Sequence, residues 1–392
     1  MNILGIVAEY NPFHNGHLYH LKTAIEKTNA DYTICVMSGN FIQRGEPALV
    51  NKFIRTDMAI KNGIDLVIEL PVYYAVSTAE KFAYAGVKIL NECGINYLAF
   101  GAENSNLNTL ISISELLTNE TPEFKGELKK QLDLGLSYPD ARSKTISEIL
   151  NVSSNILAQP NNILAIEYLK AISKINPLIT PIPIERVDSG YHDKNSATHI
   201  LSATGIREKL KNSQDIDLFV PENTLSLLND TVFLENFEQL ILFSLRNLSI
   251  EQIKNLPDVT EGLENRIYSS LLTSPDITTL IDKIKTKRYP LTKIKRILLS
   301  ALLSLSKESL QKFDKEGGPQ YIRILGTSEK GKELLPLVTK SSNLPVITSI
   351  SKFLTQANEI QKEMLYKDIL ATNIYTLMTK DKTMNLDYTR RI

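Results

Sequence analysis

The stretch ILGIVAEYNPFHNGHLYHL, Ile3–Leu21, decides the fold of the N-terminal part of the chain. Ile3 to Ala8 form a near-continuous apolar run without polar alternation, the pattern of a strand covered on both faces. From Leu18 onward, Leu18, Leu21 and Ile25 recur at helical spacing. Pro12 and Gly16 punctuate the join, and His14 and His17 flank Asn15-Gly16 where the helix must begin. A buried strand running straight into a helix opens a crossover unit, whose next strand lies parallel to the first.

The alternation continues downstream. YTICVM, DLVIEL and INYLAF are apolar runs of strand length, and the segments between them, NKFIRTDMAIKNG and TAEKFAYAGVKILNECG, are helix-periodic. The fold class is therefore α/β, a doubly wound parallel sheet. Ligands in such sheets bind beyond the carboxyl ends of the strands. Those ends carry Glu9 to His17, Ser38 to Gly45, Glu69 to Tyr74 and Gly101 to Asn104, so polar side chains gather where a site is expected. After a helix-periodic region, LITPIPIERV supplies one more strand. A chain of 392 residues exceeds one ordinary core. We divide it into an α/β catalytic domain, 1–215, and a mainly helical accessory domain, 216–392, in which QYIRIL and PVITS are short extended segments.

Forty-four basic residues balance 44 acidic ones, which argues against a uniformly basic nucleic-acid coat and leaves local patches open. No apolar run reaches the length of a membrane span, and no Arg-rich or signal-like segment precedes the first strand, so a cytoplasmic address is expected. Cys35 and Cys93 lie in core-type contexts without metal-ligand spacing and read as reduced structural thiols. No Ser-His-Asp or Cys-His nucleophile arrangement is recognisable.

A helix starting at the mouth of a parallel sheet offers unpaired N–H groups and a positive dipole end to an anion, and phosphate is the natural guest. Gly16 permits close backbone approach, Pro12 stiffens the turn, and two imidazoles can donate to charge developing on a phosphate. His14-Asn15-Gly16-His17 matches the HxGH signature of the nucleotidyltransferase superfamily, and Ser202 to Arg207, SATGIR, is similar to its late phosphate-capping segment. Longer pieces carry a narrower likeness. GIVAEYNPFHNGHLYHL, SGNFIQRGEPA, DLVIELP, FGAEN, QPNNILAIEYLKA and SATHILSATGIR, in this order, resemble the tRNA(Met) cytidine acetate ligase family, strongly over about the first 210 residues and more weakly beyond.

That resemblance implies a two-step reaction. Acetate and ATP, with Mg2+ expected beside the ATP, form acetyl-AMP; the acetyl group then passes to N4 of the wobble cytidine of elongator tRNA(Met). It implies His14, His17 and Arg207 as catalytic residues. The implied ATP site comprises Val7, Ala8, Glu9, Tyr10, Asn11, Pro12, Phe13, His14, Asn15, Gly16, His17, Leu18, Tyr19 and His20, with Gly101, Asn161, Asn162, Arg186, Ser202 and Thr204. Taken alone, Asn162 also reads as a helix cap and Arg186 as an exposed arginine, while His20 reads as a surface residue. Glu69 and Glu103 are candidates to hold magnesium or orient water, and His192 and His199 flank the capping segment.

The basic run from Lys283 to Arg296 suits an RNA backbone, with Lys287, Arg288, Lys295 and Arg296 as contacts and Tyr289 as a base platform. Arg323, Lys330 and Lys332 would extend it. Charge pattern alone favours a solvated helix face, and it is the family resemblance that turns the reading toward RNA. Two rival functions share the motif: an adenylyltransferase for a phosphorylated cofactor precursor, and a non-catalytic RNA-binding relative.

Overall fold

The computed structural model describes residues 1–186, 199–260 and 262–390. The strands are β1 (Ile3–Ala8), β2 (Tyr32–Ser38), β3 (Phe41–Ile42), β4 (Glu46–Pro47), β5 (Leu66–Leu70), β6 (Tyr97–Ala102), β7 (Thr180–Glu185), β8 (Ile322–Thr327) and β9 (Val346–Ile347). Seven of them build one sheet in the order β7-β6-β1-β2-β5-β8-β9, and β3 and β4 form a separate small hairpin.

The apolar runs become the parallel centre of the sheet. β1 pairs with β2 from Ile3–Tyr32 to Ala8–Met37, and on its other side with β6 from Leu4–Tyr97. The chain steps outward from β1 to β2 and β5, then returns to lay β6 against the opposite edge of β1. The strand order therefore reverses between β1 and β6, which is where a doubly wound sheet opens a crevice. Helix α1 (Asn15–Thr28) follows β1 directly, and the helices Ala79–Glu92 and Pro160–Ile175 pack against each other beside β1 and β6.

The chain after residue 216 is mainly helical in its first part, but it does not stand apart from the sheet. β8 and β9 arise from QYIRIL and PVITS and extend the sheet beyond β5, with β8 antiparallel, matching Glu69 to Arg323. Residues from both halves also share one core: Phe41 meets Phe237 at 5.6 Å between ring centroids, and Tyr73 meets Phe313 at 5.0 Å. The boundary at 215 thus separates no independent cores.

A buried set of charges explains why this arrangement holds. Lys52 Nζ, with no exposed surface, bonds Glu69 at 2.7 Å and Asp387 at 2.8 Å, while Arg323 bonds the same two carboxylates at 2.7 and 2.6 Å. Two cations and two anions, from helix α2 (Lys52–Lys61), β5, β8 and the short helix Leu386–Thr389, pair away from water, with the buried carboxyl of Asp368 close by. Glu69 is fully engaged here, which removes it as a magnesium ligand. Arg323 is buried in the same cluster, which removes it from any RNA surface. Cys35 and Cys93 are free thiols in the core, and burial pushes Cys35 up to about 12. Among the described residues no helix is long and apolar enough to cross a membrane.

Replacing Lys52 by Met leaves two buried carboxylates to share one guanidinium. We expect a loss of about 3–5 kcal/mol in urea unfolding, the usual consequence of breaking one side of a buried ion pair. A chain ended near Asp217 loses β8, β9, Arg323 and Asp387 together; it should fail to give a cooperative transition.

Candidate active site

A cavity of about 530 Å³ opens at the crevice between β1 and β6, walled by the ends of β1, β6 and β7, the start of α1 and the helix Pro160–Ile175. Two histidines at its centre are locked by the backbone. His14 is the N-cap of α1, and its Nδ1 accepts from Gly16 N–H at 3.0 Å; His17 Nδ1 accepts from His14 N–H at 3.2 Å. This reciprocal arrangement is a capping box made of imidazoles. A Cβ on Gly16 would lie 2.9 Å from His14 Cε1, so the cap needs glycine there. The rings stack with centroids 3.7 Å apart.

With Nδ1 used as an acceptor, each neutral ring carries its proton on Nε2 and becomes a donor. The surroundings keep the rings neutral. Burial, reinforced by the positive charges of Arg186 and Arg207, pulls His14 down to about 3, and burial with the neighbouring His14 and Arg186 pulls His17 well below its ordinary value. Arg186 and Arg44 also line the cavity, are exposed, and have no ion-pair partner among the described residues. Two fixed neutral donors and two exposed guanidiniums therefore face a crevice whose wall also carries Glu9, Glu103 and Glu185; the donors and the arginines suit a polyphosphate.

The segment from Val7 to His20 divides by function. Val7, Ala8, Glu9, Tyr10, His14, Gly16, His17, Tyr19 and His20 line the cavity. Asn11, Pro12, Phe13, Asn15 and Leu18 are not in its wall. Phe13 is fully buried, Asn11 Oδ1 accepts from Leu49 N–H, and Asn15 Nδ2 donates to the carbonyls of His199 and Leu218. These residues carry the turn and moor it to the segments on both sides of the helix Ala203–Lys211.

Gly101, Asn161, Arg186, Ser202 and Thr204 reach the cavity wall. A side chain at Gly101 would meet Arg186 Cγ at an ordinary 3.5 Å, so protein packing alone does not demand a glycine there. Asn162 lies elsewhere: it is fully buried, takes Asn104 N–H on Oδ1 at 2.9 Å and donates to Gln159 and to the Ile156 carbonyl. Its backbone N–H and Asn161 both bond Glu103, whose carboxylate thereby caps this helix.

Arg207 also falls outside the wall. Its guanidinium donates to the Asn11 carbonyl at 3.0 Å and pairs with Glu46, which fixes the first turn from behind. His20, which the resemblance placed in the ATP site although its own context read as surface, lines the cavity; its Nε2 is buried without a hydrogen-bond partner among the described residues, and burial with the charge of Arg186 lowers the ring to about 4. His199 places its backbone N–H on the Leu218 carbonyl and its ring beside Phe219, and His192 lies outside the described residues.

Sequence reading missed Gln43 and Arg44, which the β3–β4 hairpin delivers to the cavity. Their signal was the polar cluster after β2, whose hairpin geometry no periodicity reveals. Gly45, with φ +77°, lets this hairpin press on the helix Leu291–Leu302; a Cβ would sit 2.5 Å from the Arg296 backbone nitrogen. Lys295 is held by Glu46 at 2.5 Å, Arg296 is buried against Asp258 at 2.6 Å, and Tyr289 is buried beneath Lys293. Of the four anticipated RNA contacts, Lys287 and Arg288 are exposed, and Lys295 and Arg296 are committed to the fold. Lys330 and Lys332 follow β8, at the opposite end of the sheet from the cavity.

Known proteins resemble this chain along its whole length. Residues 1–390 match the family model described as HIGH Nucleotidyl Transferase. The tRNA(Met) cytidine acetate ligase of Thermoanaerobacter sp. (strain X514) is 43% identical over 401 residues, covering 99% of this chain and 98% of the relative. That of Acetivibrio thermocellus is 41% identical, covering 97% and 96%. The chain belongs to the tRNA(Met) cytidine acetate ligase family. A solved structure of Thermotoga maritima TmcAL bound with alpha-thio ATP superposes with a TM-score of 0.90 at 32% identity, covering 100% of this chain and 99% of that one.

The low histidine values carry a pH signature. An unfolded histidine titrates near 6.5, whereas folded His14 titrates at about 3 and His20 at about 4. The unfolded state thus binds more protons between those limits, so stability is full above about 6.5 and declines as pH falls toward 4. In the ligand-free protein the imidazole resonances of His14 and His20 should stay neutral from pH 8 to 5; either one titrating near 6.5 would contradict the enclosed site.

Proposed function

We propose that the chain activates acetate with ATP to acetyl-AMP and passes the acetyl group to N4 of the wobble cytidine of elongator tRNA(Met), in the cytoplasm. The observation that carries this reading is the pair of neutral imidazoles with fixed Nε2–H donors at the strand-order reversal, in a family whose solved member was bound with an ATP analogue.

Acetate is ionised at neutral pH, so its attack on the α-phosphorus requires no protein base. What the site must supply is alignment and stabilisation of negative charge on phosphate oxygens. His14 and His17 are placed to donate to the α-phosphate, with Arg44 and Arg186 adding positive potential and the first turn of α1 adding N–H groups. Arg207 acts as a positioning residue through the Asn11 carbonyl. Gly101 leaves open a surface against which the nucleoside can lie.

Magnesium would accompany the polyphosphate. Phosphate oxygens and water would supply most of its ligands, as is usual for Mg2+ beside a nucleotide. Acetyl-AMP, a mixed anhydride, then acylates an amine that is a poor nucleophile because it is conjugated with its ring.

The RNA side follows from the hairpin. Lys285, Lys287 and Arg288 are exposed immediately before the helix Leu291–Leu302, and that helix touches the hairpin whose Arg44 lines the cavity. An anticodon arm held on these cations would bring its loop toward the crevice.

Purified protein given ATP, labelled acetate and total tRNA should yield N4-acetylcytidine in elongator tRNA(Met). Absence of that nucleoside, with pyrophosphate release on nicotinate mononucleotide, would assign the cofactor adenylyltransferase instead. His14→Ala and His17→Ala should each slow acetyl-AMP formation by about 10² or more, the loss typical of one oxyanion donor. Neutralising Lys285, Lys287 and Arg288 together should weaken tRNA binding and flatten its log–log salt slope by about 2–3, while acetyl-AMP formation without tRNA persists.

A further inference from the structure

Of the three carboxylates in the cavity wall, Glu103 is used up in capping the helix Pro160–Ile175 and Glu185 ends β7, while the one that ends β1 has an oxygen to spare. Glu9, at the end of β1, places its carboxylate in the wall. Oε1 accepts the Gln43 backbone N–H at 2.9 Å, and Oε2 has no partner among the described residues. ATP and acetate are both anions, and a carboxylate beside them opposes the binding of each. Its chemistry suits the other substrate, an amine that must lose a proton.

The surroundings of Glu9 fit that task. Phe82, Phe100 and Tyr168 supply an aromatic flank to the same cavity, and Phe100 and Tyr168 stand 5.9 Å apart between centroids. All three are largely buried, so they give this part of the wall an apolar, aromatic character against which the ring of a base can pack edge-on. The titratable groups around the carboxylate are Arg44 from the hairpin, Arg207 from the helix Ala203–Lys211, Arg55 from α2 and Tyr168 from the helix Pro160–Ile175. Burial raises Glu9 above its ordinary value, outweighing the Gln43 N–H and the arginines, which pull it down; a more basic carboxylate results. Burial likewise keeps Tyr168 protonated, so it does not compete for the proton.

We propose that Glu9 is the general base of acyl transfer, its unpaired Oε2 accepting a proton from N4 of cytidine as that nitrogen attacks the acetyl carbon. The N–C bond forms, the bond between the acyl carbon and the phosphate oxygen breaks, and AMP departs with the electron pair. The proton on Glu9 passes to water when AMP leaves. This inference rests on the ligase reading above.

The two half-reactions separate the possibilities. Acetate-dependent ATP–pyrophosphate exchange reports adenylation, and supplied acetyl-AMP with tRNA reports transfer. Glu9→Gln should slow transfer by about 10²–10⁴, the usual contribution of a general base, and slow adenylation far less. Glu9→Asp should recover part of the transfer rate. Wild-type transfer should fall as pH drops through the raised Glu9 value, and this acid limb should vanish in Glu9→Gln, a change that a purely structural role would not produce. Equal losses in both half-reactions, or a Glu9→Gln enzyme that transfers at near wild-type rate with its acid limb intact, would overturn the proposal while leaving the ligase reading in place. A wild-type enzyme that acetylates no tRNA would remove the reading on which it rests. Thermal unfolding of each variant confirms that the comparison is between folded proteins.

Discussion

The reciprocal bond between His14 and His17 is the constraint from which the site follows. Each Nδ1 satisfies a helix N-terminal N–H that would otherwise be orphaned, so the cap and the proton placement are one device. Because the backbone consumes Nδ1, Nε2 must be the donor, and because the rings are enclosed near two arginines they remain neutral. A serine cap would hold the helix equally well but would offer no second nitrogen to a ligand. Gly16 and the Asn15 moorings are requirements of this arrangement rather than separate features.

The C-terminal half earns its place through charge and sheet edge together. β8 covers β5, which would otherwise be an open edge, and it carries Arg323 to the carboxylate of Glu69. Asp387, close to the end of the chain, completes the set. The catalytic crevice and the most distant segment of sequence are consequently stabilised by one cluster, and neither half is a free module.

The sequence displays the part of the fold that depends on local periodicity. β1, β2, β5, β6 and β7 are apolar runs, and the strand-to-helix turn with its two histidines is readable as an anion site. Partners distant in sequence are not readable in this way. Nothing near Arg323 or Lys295 announces that one is buried against Glu69 and the other bound to Glu46, and on charge pattern both pass for solvated cations. Asn162 and Arg207 show the same limit: each lies in a motif beside the cavity, but its hydrogen bonds point into the protein. Read from its own context, His20 failed in the opposite direction, since three residues after His17 on α1 it stays on the cavity face, one turn deeper. Family likeness gave the chemistry; only the packing separates the residues that face the cavity from those that support it.

Acetate, the substrate in the proposed reaction, brings its own acid with it. Where this weak acid accumulates, its neutral form crosses membranes and lowers internal pH, at the moment when the substrate is most abundant. Ordinary histidines would change charge in that range and alter the affinity of a phosphate site. His14, titrating at about 3, and His20, at about 4, do not respond. In the proposed reaction, enclosure of the imidazoles would therefore keep the activating step insensitive to acidification by acetic acid.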